Sequence, residues 1–196
     1  MANSDRRSQR TRAQLRQALI ELLQESGYEA ISIRDITEKA CVGYATFFRH
    51  YDGKESLLAD AFEQSVGELN QLLHSLGETD AEVEGKVIFE HVQERQLLYQ
   101  VLLRGEATLP LIAEVQRDAA KELVMRYARY TPSIPAGLLA NYVVVSIVAL
   151  IKWWLRNDMP FDPEHMGQFY AELIMKPVEQ LLHHRPSPTA DRQAEK

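Results

Sequence analysis

Between Ser32 and Lys54 the chain places small, aromatic and cationic side chains at a spacing suited to holding a nucleic acid. The densest stretch is Gly43, Tyr44, Ala45, Thr46, Phe47, Phe48, Arg49, His50 and Tyr51. Gly43 and Ala45 permit close approach to a groove. Tyr44 has the reach for base edges or a thymine methyl, and Thr46, His50 and Lys54 carry donors for phosphate oxygens. Upstream, Arg34 adds a forked guanidinium able to meet a guanine edge. Catalytic chemistry finds no comparable grouping. His50, His74, His91, His165, His183 and His184 make no helical metal-binding pair with a carboxylate, and the single cysteine, Cys41, cannot build a Cys-rich zinc site. The stretch Asp52, Gly53, Lys54, Glu55, Ser56 has the glycine and lysine of a phosphate-binding loop but lacks the preceding strand and the distant first glycine. The expectation is no catalytic residue, no metal, no cofactor and no enzyme.

These residues need short helices to present them, and the sequence supplies the signals. Leu15, Ala18, Leu19, Leu22 and Leu23 form one apolar stripe from Gln9 to Glu25, closed by Gly27. Ser32 and Asp35 make a capping box for a short second helix with Ile33, Ile36 and Ala40 on one face. A third short segment, Tyr44 to Tyr51, stops at Asp52 and Gly53, and Asp52 with Glu55 is expected to cap a fourth helix from Lys54 to about Leu76. A long helix followed by two short ones with few residues between them outlines a helix-turn-helix unit.

Further along, Thr79 with Glu82 is expected to restart a helix running towards Arg95, followed by Gln96 to Arg104 and a break at Gly105. Thr108 and Pro110 open another helix that ends near Tyr130, before Thr131, Pro132, Ser133 and Pro135. An apolar helix then runs to Asn157, and Asp162 with Pro163 starts the last one, which Pro177 should end or kink near Lys176. No period-2 alternation long enough for a sheet appears. The fold class is all-α, divided into a DNA-binding domain at 1–54, a helical ligand-binding and dimerisation domain at 55–184, and a disordered tail at 185–196.

Charge supports the division. The formal net charge is -6, with 28 acidic against 22 basic residues, which argues against a protein that coats nucleic acid. Residues 1–20, however, hold Arg6, Arg7, Arg10, Arg12 and Arg16 against Asp5, a local +4, and residues 1–56 hold nine basic against eight acidic residues, leaving -7 for the remaining 140. The opening MANSDRRSQR lacks the apolar run of a secretory signal, so a reducing, cytoplasmic setting is expected. Leu138 to Leu155 is interrupted by Asn141, Ser146 and Lys152, short of the roughly 18 apolar residues of a spanning helix, and reads as a buried helix with no membrane role.

The run SIRDITEKACVGYATFFRHYDGKESLLADAF resembles the N-terminal signature of TetR/AcrR-type bacterial transcriptional regulators, an Ile-Ala-Glu-Ala-Gly-Val-Ser, Thr-Phe-Tyr-Arg-His-Phe and Lys-Glu-x-Leu pattern, over roughly residues 8–62. The resemblance implies that Ser32, Thr46, His50 and Lys54 hold the DNA backbone and that Arg34, Gly43, Tyr44 and Ala45 face the bases. Phe48 and Arg49 complete the DNA-facing set, while Phe47 and Tyr51 pack the small core. Three positions depart from the pattern. Cys41 stands where glycine is usual, so a left-handed backbone there would cost on the order of 1 to 2 kcal/mol. Gly43 replaces a serine cap, and Phe48 replaces a tyrosine whose hydroxyl touches phosphate.

The remaining two thirds also resembles this family, through residues 86–104 and 147–175. The resemblance implies a homodimer, a small-molecule effector and a double-stranded DNA operator. An apolar helix at Tyr142 to Leu155 followed by one bearing Met166, Phe169, Leu173 and Ile174 offers surface for a two-fold four-helix interface. Phe89, Tyr99, Tyr127 and Trp154 are the candidates to line an effector cavity, with His91 as a polar contact. The function expected is a repressor released from a palindromic operator by its effector. The alternative is a co-regulator whose main ligand is another protein and whose DNA head is weakened at Cys41, Gly43 and Phe48.

Overall fold

The computed structural model describes residues 2–104, 109–127 and 134–183. The expected tail at 185–196 lies outside them, as do His184, Gly105, the helix start at Thr108, the helix end near Tyr130, and Thr131, Pro132 and Ser133. In chain order the helices are α1 (Ala2–Ser26), α2 (Ile33–Lys39), α3 (Tyr44–Phe47), α4 (Lys54–Leu76), α5 (Ala81–Glu94), α6 (Gln96–Arg104), α7 (Leu109–Tyr127), α8 (Ala136–Arg156), α9 (Pro163–Tyr170) and α10 (Lys176–His183). A 3-10 turn spans Tyr28–Ala30 and a π-helical turn spans Ala171–Met175. No strand occurs among the described residues, and the protein is all-α.

Two compact units form. The first takes the described residues 2–72 and 95–104 and so extends beyond the boundary at residue 54 read from the sequence. The reason is core sharing. Leu15 and Leu19 of α1, Ile36 of α2, Phe47 of α3, Leu57 and Leu58 of α4 and Leu102 of α6 are all fully buried or nearly so, each burial stabilising the fold by roughly 1.5 to 3 kcal/mol. Early α4 therefore belongs to the core that supports the reading head. Phe62 of α4 meets Tyr99 of α6 edge to face at 5.5 Å. α1 begins before Gln9 and ends where expected, at Gly27, whose φ of 72° suits a residue without Cβ.

Local chemistry corrects two helix starts. α4 is capped by Gly53 and Ser56, not by Asp52 and Glu55: the Gly53 amide donates to Ser56 Oγ at 3.2 Å, and that hydroxyl donates back to the Gly53 carbonyl at 2.9 Å. α5 starts from the carbonyl of Asp80, which accepts from Val83 and Glu84, one residue later than Thr79.

The second unit takes the described residues of 73–94 and 109–183. α5 and α9 cross at two glycines. A Cβ on Gly167 would lie 2.5 Å from the Glu82 carbonyl oxygen and 2.7 Å from the Lys86 nitrogen, and one on Gly85 would lie 2.6 Å from the Tyr170 ring. Only glycine lets the two backbones touch. α8 buries Leu139, Ala140, Val143, Val144, Ile151, Trp154 and Leu155, and Trp154 meets Phe89 edge to face at 5.1 Å while its Nε1 donates to the Phe161 carbonyl at 2.8 Å. By length and composition α8 is also apolar enough to cross a membrane, and its buried face forms part of the core of its unit.

The Asp162 side chain accepts from the His165 amide at 2.9 Å with Pro163 in the first turn, as expected. Pro177 does not end the last helix. The π-helical turn immediately before it widens the backbone ring, which accommodates a residue that has no N–H and whose ring crowds the preceding turn.

Candidate nucleic-acid interface

The head is built around a tight turn between α2 and α3. The Val42 amide donates to the Thr37 carbonyl at 3.0 Å and the Cys41 amide donates to the Glu38 carbonyl at 3.1 Å. This pair of bonds is a Schellman closure, and it requires a left-handed residue in the position after the cap. Cys41 occupies it with φ of 51°, so the strain expected for a non-glycine residue is present. At the other end of α2, Ser32 and Asp35 complete the reciprocal box: Ser32 Oγ accepts from the Asp35 amide, and Asp35 Oδ2 accepts from the Ser32 amide at 2.8 Å. The Ser32 hydroxyl also donates to Asp35 Oδ2 at 2.6 Å, and that bond, with the one from the Ser32 amide, holds the Asp35 carboxyl below its usual value.

α3 comprises one regular turn and continues through 3-10-like bonds as far as His50. Gly43 caps it without a side-chain bond. Phe47 is fully buried and Tyr51 nearly so, which anchors the segment, whereas Tyr44 and Phe48 are about half exposed at 56% and 46%. The aromatic rings form a relay from solvent to core: Tyr44 meets Phe48 at 5.3 Å, Phe48 meets Phe47 at 5.3 Å and Phe47 meets Tyr51 at 5.7 Å. Each contact restricts the ring above it, so the two exposed rings are presented rigidly. Ala45 and Arg49 are exposed beside them, and Thr46 and His50 are half-buried.

Next to α3, Arg34, Thr37, Glu38, Cys41, Val42 and Tyr44 line an open concavity. Arg34 Nε donates to Glu38 Oε1 at 2.9 Å across its rim. Arg34 and Tyr44 of the DNA-facing set share this surface with Glu38, which lies outside that set although its i,i+4 spacing from Arg34 is legible in the sequence.

Several cations have internal partners. Lys54 Nζ donates to the carbonyls of Tyr28 at 2.8 Å and Ile31 at 2.9 Å and lies 4.2 Å from the centre of the Tyr28 ring. Two of its three donors thus clasp the chain between α1 and α2, and one remains for a phosphate. Arg12 and Arg16 converge on Asp60, which also accepts from the Tyr51 hydroxyl at 2.5 Å. Burial alone would raise the Asp60 carboxyl, but the bonds from Tyr51 and Arg16 and the charges of both arginines hold it below its usual value. Burial, with the bond to Asp60, pushes the Tyr51 phenol up to about 12. Of the arginines that gave the N-terminal segment its charge, Arg6, Arg7 and Arg10 stay exposed.

The five effector-site candidates separate. Phe89, His91, Tyr127 and Trp154 are buried in the second unit. Tyr99 is buried in the first, against Phe62. Phe89 and Trp154 touch. In the second unit Glu84 and Arg126 form an ion pair at 3.1 Å. Of the residues expected on a dimer face, Met166 and Ile174 are buried within the unit and Leu173 is exposed.

A short capped helix, a Schellman turn and a second short helix with rigid exposed aromatics define a helix-turn-helix DNA-binding protein. The comparisons agree. Residues 15–61 match the model for bacterial regulatory proteins of the tetR family, and residues 86–176 match that for a transcriptional regulator C-terminal region. The HTH-type transcriptional repressor Rv3405c of Mycobacterium tuberculosis (strain ATCC 25618 / H37Rv) is 32% identical over 148 residues, covering 72% of this chain and 70% of that protein. An uncharacterized HTH-type transcriptional regulator of Bacillus subtilis (strain 168), YxbF, is 28% identical over 182 residues, covering 87% of this chain and 46% of the relative, so the chain spans about half of that protein's length. Among solved structures, the transcriptional regulator FadR from Bacillus subtilis in complex with stearoyl-CoA superposes with a TM-score of 0.64 at 17% identity, covering 89% of this chain and 99% of that one. The chain belongs to the TetR family of bacterial regulatory proteins and is a DNA-binding transcriptional regulator.

Proposed function

We propose that the protein is a cytoplasmic homodimeric repressor that reads a palindromic operator and leaves it when a small molecule binds the second unit. Its role is regulated binding, not turnover. The observation that carries the reading is the presentation of the head: Tyr44 and Phe48 stand half exposed on a segment anchored by a fully buried Phe47. Rings held at a surface by packing lose little freedom on docking, which favours their use in recognition. Tyr44, Ala45, Gly43 and Arg34 address bases, Ser32, Thr46, His50 and Lys54 address the backbone, Lys54 with its one remaining donor, and Phe48 and Arg49 complete the DNA-facing surface.

Dimerisation is supported by α8. Leu138, Tyr142, Val145 and Trp153 are exposed by 44% or more on one stripe of that helix, and Leu173 is exposed by 60%. Burying such a stripe against its own two-fold mate satisfies it on both copies at once. For the effector, Phe89 and Trp154 supply an apolar wall, and His91 and Tyr127 are the buried polar candidates of the same unit. The stearoyl-CoA bound by the similar Bacillus subtilis regulator makes a fatty acyl-CoA the first class to try. Binding would shift the dimer towards a state whose two heads no longer match the operator.

The test is operator footprinting with purified protein, repeated with acyl-CoA of several chain lengths. Protection of an inverted repeat, released by one ligand class, is the expected result. Absence of any salt-dependent preference for a palindrome would sink the proposal.

A further inference from the structure

The Arg34–Glu38 pair is in the wrong order to help its helix. Arg34 lies in the first turn of α2 and Glu38 in the last, so each charge opposes the helix dipole, and an i,i+4 pair is more stabilising with the acid nearer the N-terminus. The exposures are 81% and 65%, a setting in which an ion pair adds little to stability. Neighbouring charges are otherwise engaged: Asp35 is held by Ser32, and Lys39 pairs with Glu25. What the arrangement does accomplish is geometric. Glu38 Oε1 accepts from Arg34 Nε at 2.9 Å, which leaves the two terminal amino groups of the guanidinium uncommitted to the carboxylate, and their distal N–H fork is the one that matches guanine N7 and O6.

Resting on the reading of this head as an operator binder, we propose that Glu38 is a positioning residue for sequence reading, fixing Arg34 so that its terminal fork meets one guanine of each half-site. Arg34 makes the base contact, and Glu38 removes the freedom that an unbraced arginine would lose on binding. An exposed pair of this kind biases the side chain towards the braced arrangement by about 1.4- to fivefold, on top of the roughly five- to 150-fold discrimination of a bidentate arginine–guanine contact. The carboxylate also faces a polyanion. A role confined to repulsion would lower affinity for every sequence equally and leave base preference untouched.

The experiment is selection from a random duplex library with the full chain, comparing wild type, Arg34→Ala, Glu38→Ala and Glu38→Gln. Arg34→Ala identifies the position whose guanine preference depends on Arg34. Glu38→Ala should weaken preference at that same position by about 1.4- to fivefold. Glu38→Gln keeps an acceptor for Nε and should hold the preference within about twofold of wild type. Equal guanine preference in wild type and Glu38→Ala, with both Glu38 variants binding all sequences more tightly, would overturn the proposal. So would a loss in Glu38→Ala at a position different from that of Arg34→Ala, or a Gln variant that fails as fully as Ala. Should wild type itself select no sequence, the operator-binding reading fails and this inference with it. A selective wild type with an indifferent Glu38→Ala removes only the role of Glu38.

Discussion

Replacing Cys41 with glycine should stabilise the reading head. The residue sits at φ of 51° in the position after the α2 cap, with its amide and that of Val42 committed to the carbonyls of Glu38 and Thr37, so the backbone cannot relax without giving up two bonds. A Cβ in that conformation costs about 1 to 2 kcal/mol. Against this stands the extra freedom of glycine in the unfolded chain, about 0.5 to 1 kcal/mol. The side chain is exposed, so its removal leaves no cavity, and the balance is a gain of about 1 kcal/mol. Cys41→Ala keeps the Cβ and should stay within about 0.5 kcal/mol of wild type. The assay is urea unfolding under reducing conditions. Both tryptophans, Trp153 and Trp154, lie in the second unit, so the head is followed by exchange of the Val42 amide and the second unit by tryptophan fluorescence. Exchange at Val42 should slow in the glycine variant alone, with fluorescence unmoved. Equal behaviour of the alanine and glycine variants, or a glycine variant less stable than wild type, would refute the reasoning.

Three further outcomes follow from the geometry. Gly167→Ala puts a methyl 2.5 Å from the Glu82 carbonyl oxygen, an overpacking against backbone that should cost about 3 kcal/mol; a tryptophan-detected midpoint equal to wild type would contradict the α5–α9 contact. The Asp60 carboxyl is held below its ordinary value, so its contribution is present above the unfolded-state value near 4 and lost as pH falls through the lower folded value. Wild-type head stability should therefore decline on acidification, and Asp60→Asn should be less stable at neutral pH with a flatter acid limb; an unchanged limb counts against the cluster. Tyr44→Ala should relax sequence preference, whereas Lys54→Ala should weaken binding to all sequences, lower the salt slope by about 1 unit and also destabilise the head, because the Tyr28 and Ile31 carbonyls lose their donor. Equal effects of the two substitutions on specificity would contradict the assignment.

What could be read from the sequence was what neighbouring residues decide. The Ser32–Asp35 box, the Gly27 stop and the Asp162–Pro163 start all follow from residues within one helical turn of each other, whereas the left-handed turn at Cys41 is implied only by the resemblance to a family that has glycine there. Errors of a single position, such as Asp80 for Thr79 or Gly53 with Ser56 for Asp52 with Glu55, arise because adjacent polar residues compete for the same cap. What could not be read was which distant groups meet. Arg12 and Arg16 looked like free charge for DNA until folding brought Asp60 to them, across 48 and 44 residues. Tyr99 looked like a partner of Phe89, since periodicity identifies an apolar face but not the core that receives it, and α6 packs in the first unit. Gly85 and Gly167 had left a trace: glycine inside a helix costs about 1 kcal/mol, a penalty that points to close helix contact. Pro177 does not end the helix, but the regular ladder gives way to a π-helical turn just before Lys176, next to the position where the proline marked a break.

The central claim is that two copies of this head, related by two-fold symmetry, read one operator. Selection of bound duplexes by the full-length chain, with the stoichiometry of the recovered complex measured by mass, tests it most directly. The expected result is an inverted repeat with half-site centres roughly one DNA turn, 34 to 36 Å, apart and two chains on each duplex. Recovery of an asymmetric site bound by a single chain, or of no enriched sequence at low salt, would contradict it.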